Sequence, residues 1–400
     1  MHLMLLAPQH RTYLAFFLIA ISTGAFLARI PDLQMMLNVN KAELGLTLIG
    51  LAAGALVSLT FSSPIVMRLG AKLTLMITLL GTALLLALVP FMPDAPSVFC
   101  LLFLVGLLGG AFEINLNVEI GRIETQVGFG IMNRAHGFWS VGFFVTAVSA
   151  SVIRQAGIDI QTHLHVVLGL VFVLGVLNVA GMKNAPIVKV PEIENAPHFA
   201  LPTLGLLPLC LIGIAAFLVE GAGIDWSAIY MRDVFNSEPF IGGTGLTLFA
   251  LFMAVARLFV DPVVDRHGAR AVAIVLLATA VVGITMVWLA PHPYVALAGF
   301  ALMGGGCSAI YPMAVTAAAQ RTDRPSVINV AALAQMSFVV FFLAPPLLGF
   351  VAEHLGIRNA YLVCLPLILG SLLASPALAT RRSEAQPIPS GQQVNASNPS

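Results

Sequence analysis

The sequence predicts an all-α membrane protein with twelve transmembrane helices in two pseudo-symmetric six-helix bundles. Three observations carry that prediction. The first is composition. Of 400 residues, 59% are hydrophobic and 9% charged, where a soluble domain carries about 25% charged residues, and the mean hydropathy is +0.96. The second is that apolar runs long enough to cross a bilayer, about 20 residues each, recur twelve times. The third is that the second half of the chain repeats landmarks of the first. A net charge of +1, with basic residues scattered singly or in pairs, argues against a nucleic-acid partner. The lipid bilayer is the expected surrounding.

The spans in order are 12–30, 43–67, 73–91, 98–120, 133–153 and 164–182, then 206–230, 241–260, 271–290, 294–319, 327–350 and 359–379. Residues 1–182 form one bundle and 206–380 the other. The connection 183–205 is rich in Pro and polar residues and reads as a linker. The tail 381–400 is Ser, Pro, Gln and Asn and reads as disordered. An even number of spans puts both termini on one side. The connections on that side hold Arg11, Arg68, Lys72, Arg122, Arg134, Lys183, Lys189, Arg266, Arg270, Arg321, Arg324, Arg381 and Arg382. The other side holds Arg29, Lys41, Arg154, Arg232 and Arg358, so the count is thirteen against five. The positive-inside rule then places both termini in the cytoplasm.

The duplication has an ordered register. Gly45-Leu-Thr-Leu matches Gly245-Leu-Thr-Leu. An offset of 198 then aligns Pro64 with Pro262, Arg68 with Arg266, Gly70 with Gly268, Lys72 with Arg270, Pro93 with Pro291 and Gly106 with Gly304. Matches that keep their place in successive helices imply a doubled six-helix unit, the plan of a protein that rocks two halves about a central site. Polarity follows a period of three spans. Spans three, nine and twelve carry no charge and span six carries little, so these four are expected to face lipid. Spans one, four, seven and ten hold Arg29, Glu113, Glu220, Asp225 and Tyr311. Ionisable groups avoid lipid, so these four spans are expected to line an interior cavity.

The loop Arg257-Leu-Phe-Val-Asp261-Pro-Val-Val-Asp265-Arg266-His-Gly268-Ala-Arg270, set in a 6+6 layout, resembles the signature of the major facilitator superfamily of secondary transporters. Its first-half counterpart, Pro64 to Lys72, has Met67 where the family has Asp. A narrower resemblance is to bacterial inner-membrane permeases akin to the fucose permeases. It rests on Ala28-Arg29-Ile30-Pro31, Glu220-Gly-Ala-Gly-Ile-Asp225-Trp226-Ser227, Pro345-Pro346-Leu-Leu-Gly349 and Glu113-Ile-Asn-Leu-Asn117. The resemblance implies the major facilitator fold and alternating access. It links Glu113 to proton and sugar, and makes Arg257, Asp261 and Asp265, with Arg68, Arg266 and Arg270, a cytoplasmic latch. Span one lacks the carboxylate that fucose permeases use there.

Each candidate has two readings. Glu113 lies about 13 Å from the cytoplasmic end at Arg122 by helical rise. It is either a proton-binding carboxylate that also meets substrate hydroxyls, or one member of an ion pair with Arg134 or His136. Asn117 shares its face, and Gly106, Gly109 and Gly110 on or near that face allow a close helix contact. His136 tunes Glu113, contacts substrate, or is satisfied by a neighbour. Trp139 stacks on a sugar ring or merely packs. Glu220 is the second proton candidate. Arg29 and Asp225 are an outer gate across the central axis, or Arg29 snorkels to the interface. Tyr311 aligns with Glu113 at the 198 offset. With Asn329 and Gln335 it would supply hydroxyl-recognising groups from the second half. Pro312 is expected to kink span ten or open a backbone carbonyl there.

The four cysteines sit in apolar runs without metal spacing and read as fillers. His163-Leu-His165 lacks a third ligand, and no Gly-Lys-Ser/Thr phosphate loop occurs, so ATP is not the expected energy source. The expected protein is a monomeric permease of a bacterial inner membrane, with no cofactor beyond a proton gradient. Its substrate is a small polar solute, a sugar, polyol or inositol-like compound. One reason is that no central arginine stands ready for an organic anion. The alternatives are proton-antiport efflux of drugs or metabolites, and a membrane sensor or assembly component without flux. An enzyme is not expected, since no nucleophile–base or metal constellation is present.

Overall fold

A computed structural model describes residues 6–127, 131–182, 201–324 and 326–379. Most of the predicted linker, residues 183–200, and the tail from 380 lie outside the described residues. Twelve spans are long and apolar enough to cross a membrane, and each overlaps the stretch expected from sequence. The first bundle holds α1 (Pro8–Leu27) with its extension α2 (Ile30–Leu37), α3 (Lys41–Phe61), α4 (Ser63–Leu88), α5 (Ala95–Val127), α6 (Met132–Gln155) and α7 (Ile160–Ala180). The second holds α8 (Leu207–Phe235), α9 (Pro239–His267), α10 (Ala269–Leu289) and α13 (Ser326–His354), with two interrupted spans. One is α11 (Pro293–Cys307) with α12 (Ile310–Ala319); the other is α14 (Ile357–Leu362) with α15 (Cys364–Ala374).

Local chemistry explains the helix starts. Asn40 and Glu43 form a reciprocal capping box at α3, and Asp159 caps α7 by accepting from the Thr162 amide at 2.8 Å, each satisfying donors that a helix start leaves unpaired. Proline occupies the first turn of α1, α8, α9 and α11, where its missing N–H costs nothing. Gly70 and Gly268 take φ of 77° and 84°, a conformation that glycine adopts freely. They are a pair in the 198 register, so the duplication extends to backbone conformation.

Glycine sets the helix spacing in the same symmetric way. A Cβ on Gly106 of α5 would overlap the Leu51 carbonyl oxygen of α3, and one on Gly304 of α11 would overlap the Phe249 carbonyl oxygen of α9. Both members of the second pair are the first pair shifted by 198 positions. Gly110 likewise abuts Ala55 and Ser58, whereas Gly109 has nothing within 4 Å. Of the three glycines expected to admit a neighbouring backbone, Gly106 and Gly110 do so and Gly109 faces open space.

Spans one, seven and ten are 67% buried, against 33–44% for spans three, six, nine and twelve. This sorts three of the four predicted inner helices inward. Span four is 39% buried, no more than the outer set. The reason is one-sided packing: its glycine face is pressed on α3 while Gly109 opens to space.

The bundles meet along two crossings related by the duplication. Gly45 of α3 lies against the Pro345 carbonyl of α13, and Gly243 of α9 against the Ser151 side chain of α6. Polar contacts join the halves on the face opposite the termini. Arg232 donates to the Gln34 side chain at 2.7 Å and to the Pro31 carbonyl at 3.3 Å. Lys41 pairs with Asp233 at 3.1 Å, and its amide donates to Glu353 at 3.0 Å. Gln155 bonds both Glu238 and the Phe240 amide. The structure is therefore clamped shut on that face.

Candidate functional site

In the first bundle the site is built on α5. Glu113 lies 18 residues after Ala95 and 14 before Val127, which puts it near mid-depth, about 27 and 21 Å from the two ends. One carboxylate oxygen accepts from Asn117 Nδ2 at 2.9 Å, as expected for residues four apart on one helix face. Arg134 and His136 are exposed, and among the described residues Glu113 forms no ion pair, with them or any other cation. The His136 ring instead lies 4.8 Å from Phe16, which meets Phe112 edge-on. Trp139 stacks on Phe143 with centroids 5.2 Å apart, so one indole face is taken by protein. The other amide of this stretch is structural: Asn115 is buried and donates to the Ala71 carbonyl at 3.1 Å, tying α5 to α4 just after Gly70.

In the second bundle the centre is an ion pair at a helix break. Glu220 is 13 residues into the 29-residue α8, so it sits at the middle rather than in the outer half. Arg257 Nη2 reaches it at 3.3 Å, and Arg257 Nε donates to the Ser308 carbonyl at 2.9 Å. That carbonyl is free for a reason written in the sequence. Its helical donor would be the amide four residues on, which is Pro312, and proline has no N–H. The span accordingly breaks between Cys307 and Ile310. Pro312 thus opens a carbonyl as expected, and an arginine fills it. Beside it the Tyr311 ring packs 4.4 Å from Phe217, and among the described residues its hydroxyl has no partner.

Several expectations are corrected here. Among the described residues the Arg257 guanidinium bonds Glu220 and Ser308 rather than Asp265. It is a central arginine, contrary to the expectation that none is available. Asp265, Arg266, Arg270 and Arg68 are exposed, and none of them forms an ion pair among the described residues. The side chain of Asp261 lies outside the described residues. Arg29 does not cross to Glu220 or Asp225. It is buried in its own bundle, bonding Asp32 at 2.8 Å, His163 Nδ1 at 2.9 Å and the Ile158 carbonyl at 2.8 Å. Asp32 also accepts two bonds from Arg154. Asp225 forms no ion pair or hydrogen bond among the described residues.

Asn329 is fully buried near the start of α13, not at mid-depth. It donates to Asp323 at 2.9 Å and accepts from Arg324 at 3.3 Å, so its amide is spent on the connection before α13. Arg321, Asn329 and Thr203 hold the Asp323 carboxyl well below the usual carboxylate range. Gln335 is partly buried on α13. The clamp residues Arg232, Lys41, Gln155 and Glu353 were missed as a group, since only folding brings the two halves of the sequence together. A cavity of about 380 Å³ lies at this clamped seam, lined by Arg29, Asp32, Arg154 and Arg232 among others.

Two duplicated helical bundles, clamped at one face and holding carboxylates and an arginine at mid-depth, define a polytopic membrane transporter. Residues 208–397 match the Major Facilitator Superfamily. The chain is 28% identical over 359 residues to the uncharacterized transporter y4wD of Sinorhizobium fredii, covering 90% of this chain and 95% of that one. It is 25% identical over 376 residues to an uncharacterized MFS-type transporter of Yersinia pestis, covering 94% and 97%. A crystal structure of a mutant of the nucleoside transporter NupG superposes with a TM-score of 0.73 at 13% identity, covering 93% of this chain and 99% of that one. The chain is thus similar over nearly its whole length to MFS-type transporters and matches the family's model in its second half, and with its twelve spans it is a multi-pass membrane transporter.

Proposed function

We propose that this transporter carries a small, neutral, hydroxyl-bearing solute, a sugar, polyol or inositol-like compound, across a bacterial inner membrane by alternating access coupled to protons. The observation that carries the reading is Glu113, a mid-depth carboxylate with an amide partner, no countercharge and partial exposure. An intramembrane carboxylate without a cation marks an ion or proton pathway. Asn117, His136 and Trp139 in the first bundle and Tyr311 in the second supply donors and acceptors of the kind hydroxyl groups need. Glu220, paired with Arg257, has less claim to the proton. The central arginine does not turn the site toward anions, because Glu220 balances its charge.

The excess of basic residues supports cytoplasmic termini. The clamp then closes the outer face in the observed state. Asp265 with Arg266 and Arg270, and Arg68 in the first half, then serve as a cytoplasmic latch in the opposite, outward-open state. The working unit is a monomer driven by the proton gradient alone.

The test is a thermal-shift screen of the purified protein with sugars, polyols and nucleosides, followed by uptake of the best binder into proteoliposomes. A proton gradient with the outside acid is expected to drive accumulation, and a collapsed gradient to leave only equilibration. Accumulation independent of the gradient, or export by exchange for protons, would contradict the reading.

A further inference from the structure

We propose that the Glu220–Arg257 pair is the diol-binding subsite of the second bundle: Arg257 donates to one substrate hydroxyl while Glu220 accepts from its neighbour. This rests on the reading of the substrate as a neutral polyol and goes beyond it in naming the groups. The guanidinium is fixed at two points, Nε on the Ser308 carbonyl and Nη2 on Glu220 Oε2. Fixing these two leaves Nη1 and the second Nη2 hydrogen without an acceptor among the described residues, on a side chain that is 32% exposed. Arginine has five N–H donors in a rigid fork, so the free ones have set directions before any solute arrives. On the carboxylate, Oε2 is engaged by Arg257 and Oε1 has no hydrogen-bond partner among the described residues. The pair therefore presents a charged donor and a charged acceptor side by side, with no net charge.

That combination matches adjacent hydroxyls, each of which is both donor and acceptor, better than it matches an ion. An anion would meet the Glu220 carboxylate, and a cation the guanidinium. Hydrogen bonds to charged groups are stronger than neutral ones, which suits discrimination between a diol and its deoxy analogue. The helix break contributes by holding the arginine: Pro312 denies Ser308 a helical donor, and Arg257 takes its place. The free Tyr311 hydroxyl, one residue before Pro312, is the adjoining neutral contact.

The experiment uses the purified full-length protein and the tightest-binding polyol from the screen, with that polyol's monodeoxy analogues. Affinity is read by Trp fluorescence titration. Wild type is expected to bind at least one deoxy analogue about tenfold more weakly, the loss of one charge-assisted bond. Glu220→Gln and Arg257→Lys are expected to bind the parent polyol about tenfold more weakly and to erase that deoxy penalty. Both variants keep a polar group at the site, and monodisperse elution shows that they are folded. If either variant fails to fold, Glu220→Asp, which retains the charge but withdraws it by one methylene, gives the same readout. Unchanged polyol affinity and an intact deoxy penalty in the variants overturn the subsite while leaving the polyol reading in place. Binding of an organic anion in preference to any polyol, lost in Arg257→Lys, overturns both.

Discussion

Removing the Arg232 side chain should shift the resting conformation. In the observed state Arg232, from the second bundle, reaches the first at Gln34 over 2.7 Å and at the Pro31 carbonyl over 3.3 Å. The side chain is 29% exposed. A hydrogen bond from a charged donor contributes about 1.5–3 kcal/mol, and partial exposure argues for the low end, about 1.5 kcal/mol. The longer contact adds little. The Lys41–Asp233 pair, 23% and 24% exposed, adds about 0.5 kcal/mol. These contacts span the two bundles and are lost when this face opens, so their loss appears as a population shift. Arg232→Ala should favour the face-open state about tenfold, and Arg232→Ala with Lys41→Ala about thirtyfold. Spin labels at Pro93→Cys and Tyr294→Cys, on the same face in opposite bundles, report the change by pulsed dipolar spectroscopy once exposed Cys100 is replaced. The long-distance population should grow in the single variant and grow further in the double. Identical distance distributions in wild type and double variant would refute the view that these bonds hold the face shut.

Three other outcomes follow from the packing and the charges. Glu113→Gln is expected to abolish gradient-driven accumulation in proteoliposomes while sparing solute exchange; full active uptake would remove Glu113 from the coupling. Gly304→Val should prevent a monodisperse protein, because its Cβ overlaps the Phe249 carbonyl and overpacking at a backbone contact costs several kcal/mol, about 3 or more. Gly109→Ala, with nothing within 4 Å, should elute and melt like wild type. Asp32→Asn leaves the guanidiniums of Arg29 and Arg154 together without their shared countercharge. It should cost about 3 kcal/mol, read as a lower melting temperature in detergent.

The site was legible where a single helix or a single offset decides it. Glu113 and Asn117 are four residues apart, and helical geometry alone makes them partners. Pro312 lacks a donor, and that alone frees the Ser308 carbonyl. Arg257 was misread because its spacing from Asp261 and Asp265 is equally helical. The face it shares with them in sequence says nothing about the carboxylate waiting on α8. Arg29 was misread for the mirror reason: the duplication set it opposite Asp225, but Asp32 and His163 lie nearer.

The sequence by itself determined the number of spans, their approximate places and the doubling. These follow from the length of chain a bilayer demands and from a register that survives in paired glycines. Tertiary structure decided which charges meet. A bilayer rewards any arrangement that neutralises an intramembrane arginine, and the sequence offered Arg257 the carboxylates of Asp265 and Glu220. Only the placement of α8 against α9, and the broken span that leaves the Ser308 carbonyl unpaired, turns it to Glu220.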